Sequence, residues 1–158
     1  MIDRRKKVCL ISSAGGHLEE LRQLTYVMEN YDIYFEVPNP KVTKKMKCKN
    51  YLIKDTYLDK SKKIRYFCRF IEMCFEQFVI FIKENPDVVV TTGAGTVIPT
   101  CMYAHLFKKK LICIQSLARI NSKDRALDFL YKYADLYIVQ WESQLVNYPD
   151  AVYGGWIF

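Results

Sequence analysis

Short, continuously apolar β-prone runs alternate with helical patterns along this 158-residue chain. Val8 to Ser12 is the first such run. The turn Ser13-Ala14-Gly15-Gly16 separates it from a helical pattern that starts at His17 and carries Leu18, Leu21 and Leu24. Further strands are expected at Ile33 to Val37, ended by Pro38 and Pro40, and at Tyr51 to Ile53, Asp87 to Thr92, Lys110 to Gln115 and Asp135 to Gln140. Helices are expected over 61–84, stopped by Asn85-Pro86, and from Thr96 to Phe107, with Pro99 in the first turn. Two more are expected near 123–133, with Ser122 as N-cap, and over 141–147. Residues 41–50 are Lys-rich and read as a loop. A strand that is apolar on both faces must be covered on both. The alternation therefore predicts an α/β fold with an open parallel sheet between two layers of helices.

Composition supports a real core. Hydrophobic residues make up 51% and charged residues 26%, which excludes a disordered chain. The net charge of +7 favours an anionic partner: nucleic acid, anionic lipid or a phosphorylated substrate. The basic residues are scattered and match no RNA- or DNA-binding motif, so nucleic acid is the weakest of the three. The six cysteines form no C-x-x-C pair, and neither a zinc cage nor any other metal site is expected. Several sit inside apolar runs, in keeping with a reducing, cytoplasmic setting. The basic start MIDRRKK precedes too short an apolar run for a signal peptide, and no segment reads as a transmembrane helix.

Sheets of this kind bind ligands beyond the carboxyl ends of their strands, on the loops that lead into helices. Three such loops carry candidate residues. In the first, Ser13, Gly15 and Gly16 allow a tight turn with exposed backbone N–H groups, and the following helix N-terminus favours a phosphate or diphosphate. His17, next to them, can exchange a proton near neutral pH. A tight turn of purely structural use fits the same residues. The loop matches neither G-x-G-x-x-G nor a Walker A motif, which argues against dinucleotide binding and P-loop NTPase activity. In the second loop, Gly93, Ala94, Gly95 and Thr96 again permit close backbone approach, or merely close helix–strand packing. In the third, Ser116 can orient a ligand and Arg119 can pair with phosphate oxygens, while Asp124, Arg125 and Asp128 read as a solvated helix face.

The pattern over 61–84 carries a different message. On a helical wheel Arg65, Arg69, Glu72, Glu76 and Lys83 fall in one narrow stripe, and almost everything else is apolar. A helix on one sheet needs an apolar face of only about 100°. The surplus, which includes Phe67, Phe70, Phe78 and Phe81, must meet another helix, a partner or lipid. Lys62, Lys63 and Arg65 at its start would attract anionic headgroups.

Five motifs in order, ISSAGGHLEELRQL at 11–24, PDVVVTTGAGTVIP at 86–99, IQSLARINS at 114–122, ADLYIVQWE at 134–142 and YPDAVYGGWIF at 148–158, resemble the Alg14-like glycosyltransferase subunits over essentially the whole chain. Bacterial relatives of that family act in capsule and exopolysaccharide assembly. The resemblance implies one Rossmann-like domain over 1–158, the N-terminal lobe of a GT-B glycosyltransferase, with a mostly parallel sheet and helices on both faces. It implies a subunit peripheral to the cytoplasmic face of the membrane. That subunit would bind a lipid-diphosphate-linked saccharide acceptor and recruit an Alg13-like catalytic subunit, which holds the UDP-sugar donor. The subunit itself would need no cofactor and would not be active alone.

Carried onto this chain, the resemblance places Gly15, Gly16 and His17 at the acceptor diphosphate or the interlobe cleft. The Gly93, Ala94, Gly95 loop and the Ser116, Arg119 loop lie beside them. His17 becomes the candidate catalytic residue, the helix over 61–84 the membrane-docking element, and Tyr153, Gly154, Gly155, Trp156, Ile157 and Phe158 the partner-binding tail. Two positions depart from the family pattern. Gln115 stands where an acidic residue is expected, and an amide cannot act as a general base. Trp156 stands where Pro is common. The alternative is a membrane scaffold in which the glycine loops are only structural.

Overall fold

A computed structural model of the protein describes residues 5–44, 46, 48–55 and 63–158. Among these, the strands are β1 (Lys7–Ile11), β2 (Asp32–Val37), β3 (Asn50–Leu52), β4 (Val88–Thr91), β5 (Lys110–Ile114), β6 (Leu136–Val139) and β7 (Val152–Tyr153). They form one sheet in the order β3-β2-β1-β4-β5-β6-β7, and every neighbouring pair is parallel. The helices are α1 (Gly16–Gln23), α2 (Pro40–Thr43), α3 (Lys63–Glu84), α4 (Ile98–Leu106) and α5 (Arg125–Leu130).

The twofold alternation of strand side chains explains the two layers. Cys9, Ile11, Val89, Leu111, Cys113, Tyr137 and Val139 point to one face and are buried with residues of α3, α4 and α5. Val8, Leu10, Phe35, Val37, Val90 and Ile114 point to the other and are buried with Leu18 and Leu21 of α1. Both faces of the inner strands are covered, which is why their sequences are continuously apolar.

Several local expectations are corrected. The helix near 123–133 is shorter, with a 3-10 turn at Tyr131–Tyr133. Its N-cap is Asp124, not Ser122: the buried Asp124 carboxylate accepts the backbone N–H groups of Ala126 at 2.9 Å and Leu127 at 3.0 Å. Asp124 is therefore not on a solvated face. The segment over 141–147 is a 3-10 helix, Glu142–Val146, and the Lys-rich loop contains the single turn α2. β7 is too short for any sequence pattern. It is defined by its pairing, Ile138 with Val152 and Val139 with Tyr153.

Two buried carboxyls on the α3 side have opposite fates. Burial alone would raise the Glu84 pKa. Hydrogen bonds from Lys49 at 2.8 Å, from the Tyr51 hydroxyl and from Lys7 at 3.1 Å outweigh it and hold the group down at about 2. Glu84 thereby ties the end of α3 to β1 and β3. Glu36 on β2 is fully buried, and among the described residues no cation pairs with it. Burial pushes its pKa up to about 7, against hydrogen bonds from Thr100 and Cys9 that favour the charged form. The proton inventory agrees. The Thr100 hydroxyl lies 2.8 Å from Glu36 Oε2 and 2.9 Å from Gln77 Oε1, and it has one proton for two acceptors. A neutral Glu36 supplies the second.

Candidate functional site

β1 lies between β2 and β4, so the connections leaving β1 and β4 run to opposite faces of the sheet. A crevice at this switch point is where such sheets hold ligands. Ile11 pairs with Thr91 and Thr91 with Cys113, so the strand ends that launch all three candidate loops lie side by side. Ser13, Gly15, Gly16, His17, Gly93, Ala94, Gly95, Thr96, Ser116 and Arg119 are thus brought to one edge of the sheet.

Hydrogen bonds lock the three loops together at the start of α1. The Thr92 hydroxyl donates to the His17 carbonyl at 3.0 Å, joining the second loop to the first. The Ser116 hydroxyl and the Leu117 N–H both donate to Oε1 of Glu20, at 2.7 and 3.1 Å, joining the third. The other oxygen of Glu20 lies 3.9 Å from His17 Nδ1. Both atoms are buried and have no hydrogen-bond partner among the described residues.

The backbone is unusual where the loops turn. Gly15 and Gly93 have φ of +100° and +105°. A Cβ on Gly15 or Gly16 would meet nothing within 4 Å, so this stretch of main chain faces open space that a ligand can enter. Ala94 is held at φ +91° and ψ 154°, a region essentially reserved for glycine, at a cost of about 1–3 kcal/mol. Strain of this kind collects at functional sites. Gly93 is needed for space as well as conformation: an added Cβ would stand 3.0 Å from Leu127 Cγ and 3.3 Å from Asp124 Oδ1, the α5 cap. Gly93→Ala is expected to cost about 2–3 kcal/mol, measurable by urea denaturation; a loss below 0.5 kcal/mol, on the order of an ordinary surface change, would contradict this packing.

Not every expected residue is free to bind. Ser116 is buried with its proton given to Glu20, so it is a strut between loops and not an open ligand donor. Arg119 reaches Ser122 Oγ at 3.2 Å and stands 3.9 Å from Asp124, with its head partly exposed. Thr96 and Gln115 are buried; the Thr96 hydroxyl and both amide atoms of Gln115 have no partner among the described residues. Glu20 escaped the sequence reading, although its spacing from His17, three residues along one helix, was visible there.

On α3 the buried face is Met73, Gln77, Ile80, Phe81 and Glu84. Phe81 is only 1% exposed and packs on Tyr103 and Phe107, so it is removed from the docking face. Phe70 is half-buried, Arg65 is exposed, and Lys62 and the Lys63 side chain lie outside the described residues. The exposed apolar face consists of Ile64, Phe67, Ile71, Phe75, Phe78, Val79 and Ile82, and Phe78 carries it onto Phe107 and Leu106 at the end of α4. In the tail, Tyr153 and Trp156 are exposed. Ile157 and Phe158 instead lean on the core beneath α1, and Gly154 has no room for a side chain between Ile138 and Ile157. Gly154 is nonetheless exposed, and Ile157 and Phe158 are half-buried.

Comparison with known proteins bears on what this edge does. The family model described as oligosaccharide biosynthesis protein Alg14 like matches residues 8–157. The UDP-N-acetylglucosamine transferase subunit ALG14 of Mus musculus is 31% identical over 95 residues, 56% of this chain and 43% of that protein. The protein of the same name from Candida albicans is 34% identical over 83 residues, 49% of this chain and 38% of its own length. The match thus spans less than half of either relative. Among solved structures, MurG of Acinetobacter baumannii aligns with a TM-score of 0.70 at 14% identity, covering 87% of this chain and 42% of that one. The glycotransferase of kitacinnamycin aligns at 0.53 with 16% identity, covering 71% and 30%. At such identities the likeness establishes the fold alone, an α/β domain with a parallel sheet like the part of MurG, 42% of its chain, that it covers.

Proposed function

The chain belongs to the Alg14-like family of oligosaccharide biosynthesis proteins, and from this we propose that it is the membrane-associated subunit of a two-component glycosyltransferase. It binds a lipid-diphosphate-linked saccharide and presents it to an Alg13-like partner that holds a UDP-sugar. The product belongs to surface polysaccharide, of the capsule or exopolysaccharide kind. The observation that carries this reading is the convergence of three loops on His17 at the switch point, with the open main chain of Gly15 and Gly16 beside it. Backbone N–H groups and a helix start suit a diphosphate. In the transfer step an acceptor hydroxyl attacks the anomeric carbon, UDP departs with the bonding electrons, and the hydroxyl proton passes to His17.

The exposed face of α3 and the Leu106-Phe107 pair give the chain an apolar surface, with the exposed cations Arg65 and Lys108 at its margins. No helix among the described residues is long and apolar enough to cross a membrane. Peripheral docking on an anionic bilayer, at its cytoplasmic face, accounts for that surface.

The test is transfer from a panel of UDP-sugars to a lipid-diphosphate saccharide, with this chain, the partner, or both. Transfer is expected only with both. Transfer by this chain alone would overturn the subunit reading. Docking is checked by flotation with vesicles containing phosphatidylglycerol. The Phe67→Glu, Phe75→Glu double variant is expected to bind at least about tenfold more weakly, since each buried Phe contributes about 1.5–3 kcal/mol. Unchanged binding would exclude α3 as the docking element.

A further inference from the structure

We infer that Glu20 is a positioning residue that holds the His17 ring in one tautomer, with the proton on Nδ1 facing inward and Nε2 left bare as the proton acceptor. The inference rests on the proposed role of His17 in transfer and adds the group that prepares it. Glu20 follows His17 by three residues on α1, so the two side chains share a face of the helix. Its carboxylate cannot swing freely. Oε1 receives the Ser116 hydroxyl and the Leu117 N–H, which leaves Oε2 directed at Nδ1, 3.9 Å away. The main chain of His17 is held in turn by the Thr92 hydroxyl.

The tautomer follows from the chemistry of the buried atoms. A carboxylate oxygen only accepts, and Oε2 has no donor among the described residues except a proton on Nδ1. Nδ1 has no other acceptor either. With the 3.9 Å between them closed to hydrogen-bond distance, Nδ1 carries the proton and Nε2 is the unprotonated nitrogen. When Nε2 takes a proton, the imidazolium that forms stands beside a carboxylate already fixed in place, the arrangement that makes a histidine an effective base. Through Ser116 and Leu117 the same carboxylate couples the loop after β5 to the helix after β1, so ring orientation and loop position depend on one group.

The experiment is nitrogen NMR of the full chain labelled in histidine, with His105→Gln used to assign the two rings. In the unmodified chain His17 is expected to show an N–H signal at Nδ1 and a bare Nε2. The reverse pattern would overturn the inference without any further variant. In Glu20→Gln the amide oxygen must still accept from Ser116 and Leu117, which turns the amide NH₂ toward Nδ1. The tautomer is then expected to invert, and transfer by the two-component enzyme to fall about 100-fold. In a chain that already carries His17→Ala, Glu20→Gln is expected to cost nothing more. An unchanged tautomer in Glu20→Gln would overturn the positioning role whatever happens to transfer. An inverted tautomer with normal transfer would uphold it and overturn the role of His17 instead.

Discussion

His17→Ala is expected to lower transfer by the two-component enzyme about 10²- to 10⁴-fold, the usual share of a positioned acid or base. Among the described residues at this edge, the imidazole is the side chain whose chemistry suits proton exchange. One oxygen of Glu20 is occupied by Ser116 and Leu117 while the other faces the imidazole, Gln115 is an amide, and the Arg119 guanidinium offers no acceptor. The lesion should be confined to chemistry. The anchoring contact of His17 is its main-chain carbonyl, which Thr92 still finds in an alanine, and the ring's polar neighbour is Glu20, 3.9 Å from Nδ1. Association with the partner, measured by co-purification, should therefore stay close to that of the unmodified chain. The effect should appear in kcat with little change in KM, because the proton moves only in the transition state. Normal turnover in this variant would remove His17 from the mechanism and favour the scaffold reading.

Glu36→Gln is expected to make the protein more stable above pH 7 while leaving it little changed near pH 5. The folded chain holds a proton on Glu36 up to about pH 7, whereas an unfolded chain loses it near the ordinary 4.5. Between those values the native state binds more protons than the unfolded one. Stability therefore falls as pH rises through this window, and the loss is complete above it. A difference of that size corresponds to about 3 kcal/mol. Glutamine reproduces the neutral acid: its NH₂ donates to the Thr100 oxygen and its carbonyl accepts from Cys9, which lies 3.6 Å from Oε1 in the present arrangement. The variant thus keeps the link between β2, α3 and α4 and escapes the penalty of charging. Urea denaturation at pH 5 and pH 8 checks this, and a gap that does not widen toward pH 8 would refute it. Glu84 has the opposite sign. Its depressed pKa contributes stability that is present above the ordinary carboxylate range and is lost as the pH falls toward about 2.

The layers of the fold, most strand positions and the three loops were legible from the chain because each depends on local patterns. Continuous apolar runs such as Val88-Val89-Val90 can only be inner strands, and glycines at 15 and 93 mark places where φ turns positive. The breadth of the apolar face on 61–84 was legible too, as a surplus that needed a neighbour. Which side of that face is used inside was not. α4 packs against Gln77, Phe78 and Phe81, and that choice consumes Phe81 while leaving Phe67 and Phe75 bare. Helical periodicity shows a stripe but not what lies opposite it.

The sequence by itself determined the order of elements, the layers and the positions of the three loops, since spacing and turn chemistry are properties of neighbouring residues. Tertiary structure alone decided the partners of buried polar groups. Glu20 meets Ser116 across 96 positions, Thr100 meets Glu36 across 64, and β7 exists because β6 offers it a parallel edge. Desolvation and hydrogen bonding act on whatever the fold brings within about 3 Å. No pattern along the chain records which distant groups those will be.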